Sequence, residues 1–166
     1  MRFLQIVALG LLLMASSCGL FTRNNDMLVE GTLTCQVDGA DWTGDFIAQA
    51  LLSSTGADDV LTITGQQSDG NTQVQVILNP FTGPGTYTIV KGNFAETNMG
   101  RYTGRNPLTQ TFTTMSGLGE GSIEITDFEA DGKVKGSFSF TAVNAASGNA
   151  EVAITNGMID LEVTEE

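Results

Sequence analysis

Asp38, Asp41 and Asp45 fall within eight residues of one another, and carboxylates clustered around a turn are the raw material of a Ca²⁺ site. Calcium wants about six to eight oxygens, and this spacing is not that of an EF-hand loop. The same three residues also read as turn chemistry, because Asp38 precedes Gly39 and short carboxylates bond their own backbone in tight turns. The second reading is the one adopted, so no metal and no cofactor is expected. Trp42, Tyr87, Arg101, Tyr102 and Arg105 are the residue types that stack on sugar rings and pair with anions. They form a candidate contact set for a glycan or another anionic ligand. The competing reading puts Trp42 and Tyr87 in the core or at its rim and leaves the arginines as surface balance.

Catalysis has few routes in this chain. Histidine is absent, which removes the commonest general base and any Ser-His or Cys-His nucleophile pair. Two carboxylates ~5 to 10 Å apart across a cleft can hydrolyse a glycoside without histidine, and 19 acidic residues leave that alternative open. Of the two cysteines, Cys35 lies in Leu33-Thr34-Cys35-Gln36-Val37, where alternation places it between Leu33 and Val37 on an apolar face as a buried, inert thiol.

The other cysteine, Cys18, ends a stretch of a different kind. Arg2 is followed by the apolar run Phe3 to Met14 and then by Ala15-Ser16-Ser17-Cys18. About a dozen apolar residues are too few to cross a hydrocarbon core of ~30 Å as a helix, and the small residues before Cys18 suit a signal peptidase. Residues 1–17 therefore read as a lipoprotein export signal, with Cys18 as the acylated first residue of the mature chain and residues 18–28 as a tether. Two or three acyl chains anchor stably where one is marginal. Gly19 rather than Asp follows Cys18, and no acidic run comes after it. This favours an outer-membrane anchor facing the periplasm, with the cell surface as the alternative. The net charge of −12 disfavours nucleic acid as a partner and leaves the membrane, through the lipid, and an unidentified protein or glycan.

Residues 29–166 read as a single all-β domain, because period-2 segments rich in β-branched residues are punctuated by Gly, Asp and Asn. Strands are expected near Val29–Val37, Val60–Gln67, Thr72–Asn79, Thr86–Val90, Gly121–Phe128, Lys133–Val143 and Ala150–Val163. Asp38-Gly39, Asp69-Gly70-Asn71 and Asp131-Gly132 are expected as turns. Asp45 to Ser53 is apolar on both faces and is either a central strand or a short helix. From Lys91 to Gly119 the pattern weakens to edge strands at Arg101–Thr103 and Leu108–Met115. In the last strand the apolar residues change parity, from Val152 and Ile154 to Ile159, Leu161 and Val163, which predicts a β-bulge at Asn156-Gly157. The sum is eight to ten antiparallel strands in largely meander order, forming a β-sandwich or a partly closed barrel.

The order of short motifs, Val37-Asp38-Gly39 with Trp42, Gly85-Thr86-Tyr87, Gly121 to Thr126, Gly136 to Phe140 and Ile154 to Gly157, resembles a family of small uncharacterised envelope lipoproteins of Gram-negative, Bacteroidota-type bacteria. The resemblance spans about Leu33 to Val163 and departs at Cys35, where a small residue such as Ala is expected. It implies an all-β fold and a lipid anchor, and it supplies no activity and no site residues. The expectation is thus a lipid-anchored envelope domain that binds or makes structural contact without catalysing, with a small two-carboxylate hydrolase as the alternative.

Overall fold

Alternating apolar and polar residues need a dry side and a wet side to the backbone, and most segments of the chain from Gly31 onward make that demand. The computed structural model describes residues 28–165 apart from 30, 57, 69–71 and 96. The export signal, Cys18, the tether as far as Met27 and the Asp69-Gly70-Asn71 turn lie outside the described residues. The strands are β1 (Leu28–Val29), β2 (Gly31–Val37), β3 (Ala40–Thr43), β4 (Ile47–Thr55), β5 (Asp58–Gln66) and β6 (Gln73–Phe81). They continue as β7 (Gly85–Ile89), β8 (Met99–Thr103), β9 (Thr111–Thr113), β10 (Glu120–Phe128), β11 (Lys133–Asn144) and β12 (Ala150–Glu165). One turn of 3-10 helix at Ala145–Ser147 joins the last two. Among the described residues no helix is long and apolar enough to cross a membrane.

The architecture turns on two forks. β12 pairs with β11 along one edge, while its other edge takes β2 over Ile154–Leu161 and then β4, in parallel, from Val163 to Glu165. β11 forks in the same way, with β10 beside it up to Thr141 and Thr113 of β9 paired to Val143 beyond. Together the forks close a hydrogen-bonded ring, β12-β4-β5-β6-β8-β9-β11, from which β2-β3 and β10-β7 extend as flanges. This is a partly closed barrel. Its neighbours are antiparallel except for the two pairings that β4 makes with β1 and β12.

Of Asp45 to Ser53, the part from Ile47 onward is strand rather than helix, since β4 is paired along its whole length with β5, and Asp45 and Phe46 form the bend before it. Meander order holds across β4-β5-β6 and β10-β11-β12 and breaks where β2 joins β12 and β7 joins β10. Each of these additions covers an edge that the ring leaves unpaired at a fork. The middle third also differs from its expected edge strands: β8 lies inside the ring between β6 and β9. Gly100 holds an inward position there, and a Cβ on it would sit 2.6 Å from Cγ of Phe140. The aromatic ring from β11, two strands along the ring, fills the slot that an apolar side chain of β8 would otherwise occupy, which is why the strand shows no period of its own.

The bulge at Asn156-Gly157 is formed. Ile154 lies opposite Phe140 and Gly157 opposite Phe138, so β12 holds one residue more than β11, and Asn156 takes a φ of 52°. Val152 and Ile154 before it, and Ile159 and Leu161 after it, are all buried. The core lies inside the ring, where Leu61, Ile63, Val74, Val76 and Leu78 of one wall meet Ile123, Ile125, Phe138, Phe140 and Leu161 of the other. Cys35 is buried among them, and the loss of hydration pushes its thiol up to about 12.

Candidate functional site

Alternation on β8 and β9 sends Tyr102 and Phe112 to the inner side of the wall, opposite Val74, with their rings 6.1 Å apart. They stand at the end of the barrel where the ring opens, and with Val37 and Val152 they form the apolar floor of a cleft of about 330 Å³. Asp38, Thr72, Arg105 and Gln110 make its polar rim. Mouths of β-barrels are common places for small ligands, and this volume is at the low end of the usual range.

The rim is held from several directions. Asp38 and Gly39 both take positive φ, of 50° and 82°, which suits the two-residue turn between β2 and β3. The Asp38 carboxylate accepts a hydrogen bond from Ala153 N–H at 2.9 Å, tying that turn to β12. The loop after β8 is closed by Gly104 N–H donating to the Gln110 carbonyl at 2.7 Å and by Gln110 N–H donating to the Asn106 carbonyl at 2.8 Å. Buried Asn144 donates from Nδ2 to the Thr109 carbonyl at 2.7 Å, which fastens the loop to the β11–β12 connection. Gln110 accepts from Asn106 N–H with its side-chain oxygen at 3.1 Å, leaving its amide nitrogen for a ligand. Burial, followed by the nearby Asp38 charge, raises the Tyr102 phenol above its ordinary value, while Arg105 acts in the opposite sense.

The five sequence candidates for ligand contact do not form one patch. Tyr102 and Arg105 meet at the mouth. Trp42 is 4% exposed and lies behind the rim, donating from Nε1 to Thr72 Oγ1 at 2.9 Å, with the Thr72 hydroxyl passing the chain on to Gln67 Oε1 at 2.7 Å. Arg101 is one residue from Tyr102 and so points to the outer face, in register with Gln75 and Thr113. Tyr87 stacks on Phe81, and its hydroxyl donates to the Gly83 carbonyl at 2.6 Å. Phe81 is seven residues along β6 from Val74, the partner of Tyr102, which separates Tyr87 from the mouth by roughly 23 Å. Tyr87 closes a turn at the far end.

A profile of the family described as a domain of unknown function, DUF6252, matches residues 31–160. The chain belongs to the DUF6252 family. Its matched span runs from β2 into β12 and includes every residue that lines the mouth. No curated protein and no solved structure matches the DUF6252 chain.

The three aspartates of the first turn region are each engaged separately. Asp38 binds Ala153, Asp41 accepts from Gln36 Nε2 at 3.1 Å, and Asp45 accepts from Ser68 N–H at 2.8 Å and Ser68 Oγ at 3.1 Å. The Ser68 N–H is the main reason that the Asp45 carboxyl lies below its ordinary value. Among the described residues no group of three His, Cys, Asp or Glu side chains is placed to hold a metal ion. Three other clefts, of about 420, 360 and 240 Å³, lie along the outer face of β10, β11 and β12. The largest is bordered by Lys135 and Asp160, which pair with each other at 3.6 Å, so its charges are already matched. Each of the four clefts is lined by one carboxylate, Asp38, Asp160, Glu124 or Glu120, and none of them holds the pair that glycoside hydrolysis requires.

Gln110, Thr72, Phe112, Val37 and Val152 enter the site without having been singled out in the sequence. The one available signal was parity: Tyr102 and Phe112 both belong to the inward set once β8 and β9 are aligned.

Proposed function

We propose that the DUF6252 chain is a lipid-anchored envelope domain that binds a small anionic, hydroxyl-rich ligand, the chemistry of an acidic glycan unit, at the mouth of its barrel and does not transform it. The observation that carries this reading is the pairing of the basic side chains. Among the described residues Lys91, Lys133 and Lys135 all have carboxylate partners, at 3.8, 3.8 and 3.6 Å, whereas Arg101 and Arg105 have none. An acidic chain has carboxylates to spare, so an arginine left without one beside a phenol, an amide and an aromatic floor favours an anion brought from outside. The anchor rests on the export-signal pattern before Cys18 and lies beyond the reach of the described residues.

The chain has one tryptophan, and its hydrogen bond to Thr72 couples it to the rim, so Trp42 emission reports on the mouth. Titration with glucuronate is expected to produce a saturating change in Trp42 emission that glucose does not reproduce and that Arg105→Gln weakens at least tenfold. An identical response in Arg105→Gln, or no response to any acidic sugar, refutes the site.

A further inference from the structure

The rim of the mouth carries two charges of opposite sign that do not neutralise each other. Asp38 and Arg105 line the same cleft, yet among the described residues neither belongs to an ion pair, while the three lysines are paired elsewhere. The two come from different walls: Asp38 from the β2–β3 turn and Arg105 from the β8–β9 loop, and β2 and β8 are not neighbours in the sheet. Backbone bonds hold each in place. Asp38 is clamped twice to Ala153, its N–H donating to the Ala153 carbonyl at 2.8 Å and its carboxylate accepting from the Ala153 N–H at 2.9 Å. Arg105 follows Gly104, whose N–H donates to the Gln110 carbonyl at 2.7 Å and fixes the start of its loop. Burial raises the Tyr102 phenol, the Asp38 charge adds to that rise and the Arg105 charge opposes it, so the phenol stands within reach of both.

A ligand with a negative charge alone gains at Arg105 and loses at Asp38, since both act on it inside one small cleft. The donors and acceptors are divided in the same way. Arg105 and the free Gln110 amide nitrogen, both on the β8–β9 loop, can only donate. Asp38 can only accept, and the Ala153 N–H uses one of its several lone-pair positions. Thr72 gives its hydroxyl proton to Gln67 Oε1 and is likewise left as an acceptor. We infer that the ligand is a zwitterion, an amino-sugar acid whose carboxylate meets Arg105 and Gln110 and whose ammonium meets Asp38. The inference deepens the reading of this cleft as an anion site and rests on it. An ammonium carries three donors and no acceptor, which suits a side of the rim that holds acceptors alone. A uronate ring bearing an amine on its second carbon sets the two charges at opposite sides of the ring, and a cleft of about 330 Å³ has room for one such unit on the Tyr102 and Phe112 floor.

The test titrates the full chain, purified from membranes in a nonionic detergent, with glucuronate, with glucosaminuronate and with the N-acetyl form of the latter, which keeps the carboxylate and loses the positive charge. Calorimetry is run at about pH 6.5, where a free amine is protonated. The expected result is that glucosaminuronate binds about tenfold tighter than its N-acetyl form, the worth of one charge-assisted hydrogen bond. Asp38→Asn keeps an oxygen for the Ala153 N–H and tolerates the positive φ, so the turn is preserved while the charge is lost. In that variant the two amino sugars should bind equally, and glucuronate as well as it binds the parent or better. Arg105-dependent binding of glucuronate with no preference for the free amine overturns the zwitterion and leaves the anion site standing. A preference that survives in Asp38→Asn overturns the role of Asp38. No binding of any of the three sugars overturns the anion site and the inference with it.

Discussion

Cys35 offers the sharpest quantitative check on the barrel interior. Burial raises its thiol from the ordinary 9.0 to about 12, a gap of three pH units. Two consequences follow with opposite experimental handles. At pH 8 the folded thiolate fraction is lower than that of an exposed cysteine by ~1,000-fold, since only the thiolate reacts with a disulfide reagent. In a Cys18→Ser chain, where Cys35 is the single thiol, the native protein should react at least that much more slowly than the same chain in denaturant. The second consequence is on stability. Because the acid form is favoured by folding, the unfolded chain ionises from about pH 9 while the folded one does not, so stability is intact below pH 9 and falls as pH rises toward 12. At pH 10 the loss is about 1.4 kcal/mol from this group alone. Urea melts of the parent and of Cys35→Ala at pH 7 and pH 10 isolate it, because the packing cost of the substitution is common to both pH values. The parent should lose about 1.4 kcal/mol more than the variant between the two. Equal losses, or a native thiol reacting within tenfold of the denatured one, refute the buried placement of β2.

Gly100→Ala sets a Cβ 2.6 Å from the Phe140 ring, and overpacking of this kind should cost about 1–3 kcal/mol in a urea melt; a neutral result contradicts the closure of the wall at β8. The Asp45 carboxyl is held below its ordinary value of 3.8 by Ser68, so its contribution is present above pH 3.8 and disappears as pH falls through the lower folded value. The stability gap between the parent and Asp45→Asn should therefore be visible at pH 6 and vanish in acid, and a gap that persists at the acid end refutes the clamp.

Local signals carried much of this fold and non-local pairing carried the rest. The change of parity between Ile154 and Ile159 is enough to place a bulge at Asn156-Gly157, and Asp38-Gly39 marks its turn because few residues tolerate its positive φ angles. The position of β2 beside β12 left no local trace: Thr155 pairs with Gln36 across most of the chain, and nothing in either segment names the other. β8 was hidden because Gly100 borrows its inward bulk from Phe140. The candidate site divides along the same line. Tyr102 and Arg105 were recognisable by residue type, while Gln110, Phe112 and Val152 join them only through closure of the ring. Proximity in sequence does not bring Asp38, Asp41 and Asp45 together, since successive strand positions and a turn direct them to Ala153, Gln36 and Ser68.

The placement of this domain at the envelope depends on the anchor at Cys18. The most direct measurement is the intact mass of the chain recovered from cell membranes after growth with an acyl probe, alongside Cys18→Ser. The account predicts a mature chain beginning at Cys18, heavier than its sequence by a diacylglyceryl group and carrying the probe. It also predicts that Cys18→Ser is unlabelled and leaves the membrane fraction. A membrane-bound Cys18→Ser chain, or a parent chain cleaved elsewhere and free of lipid, contradicts it.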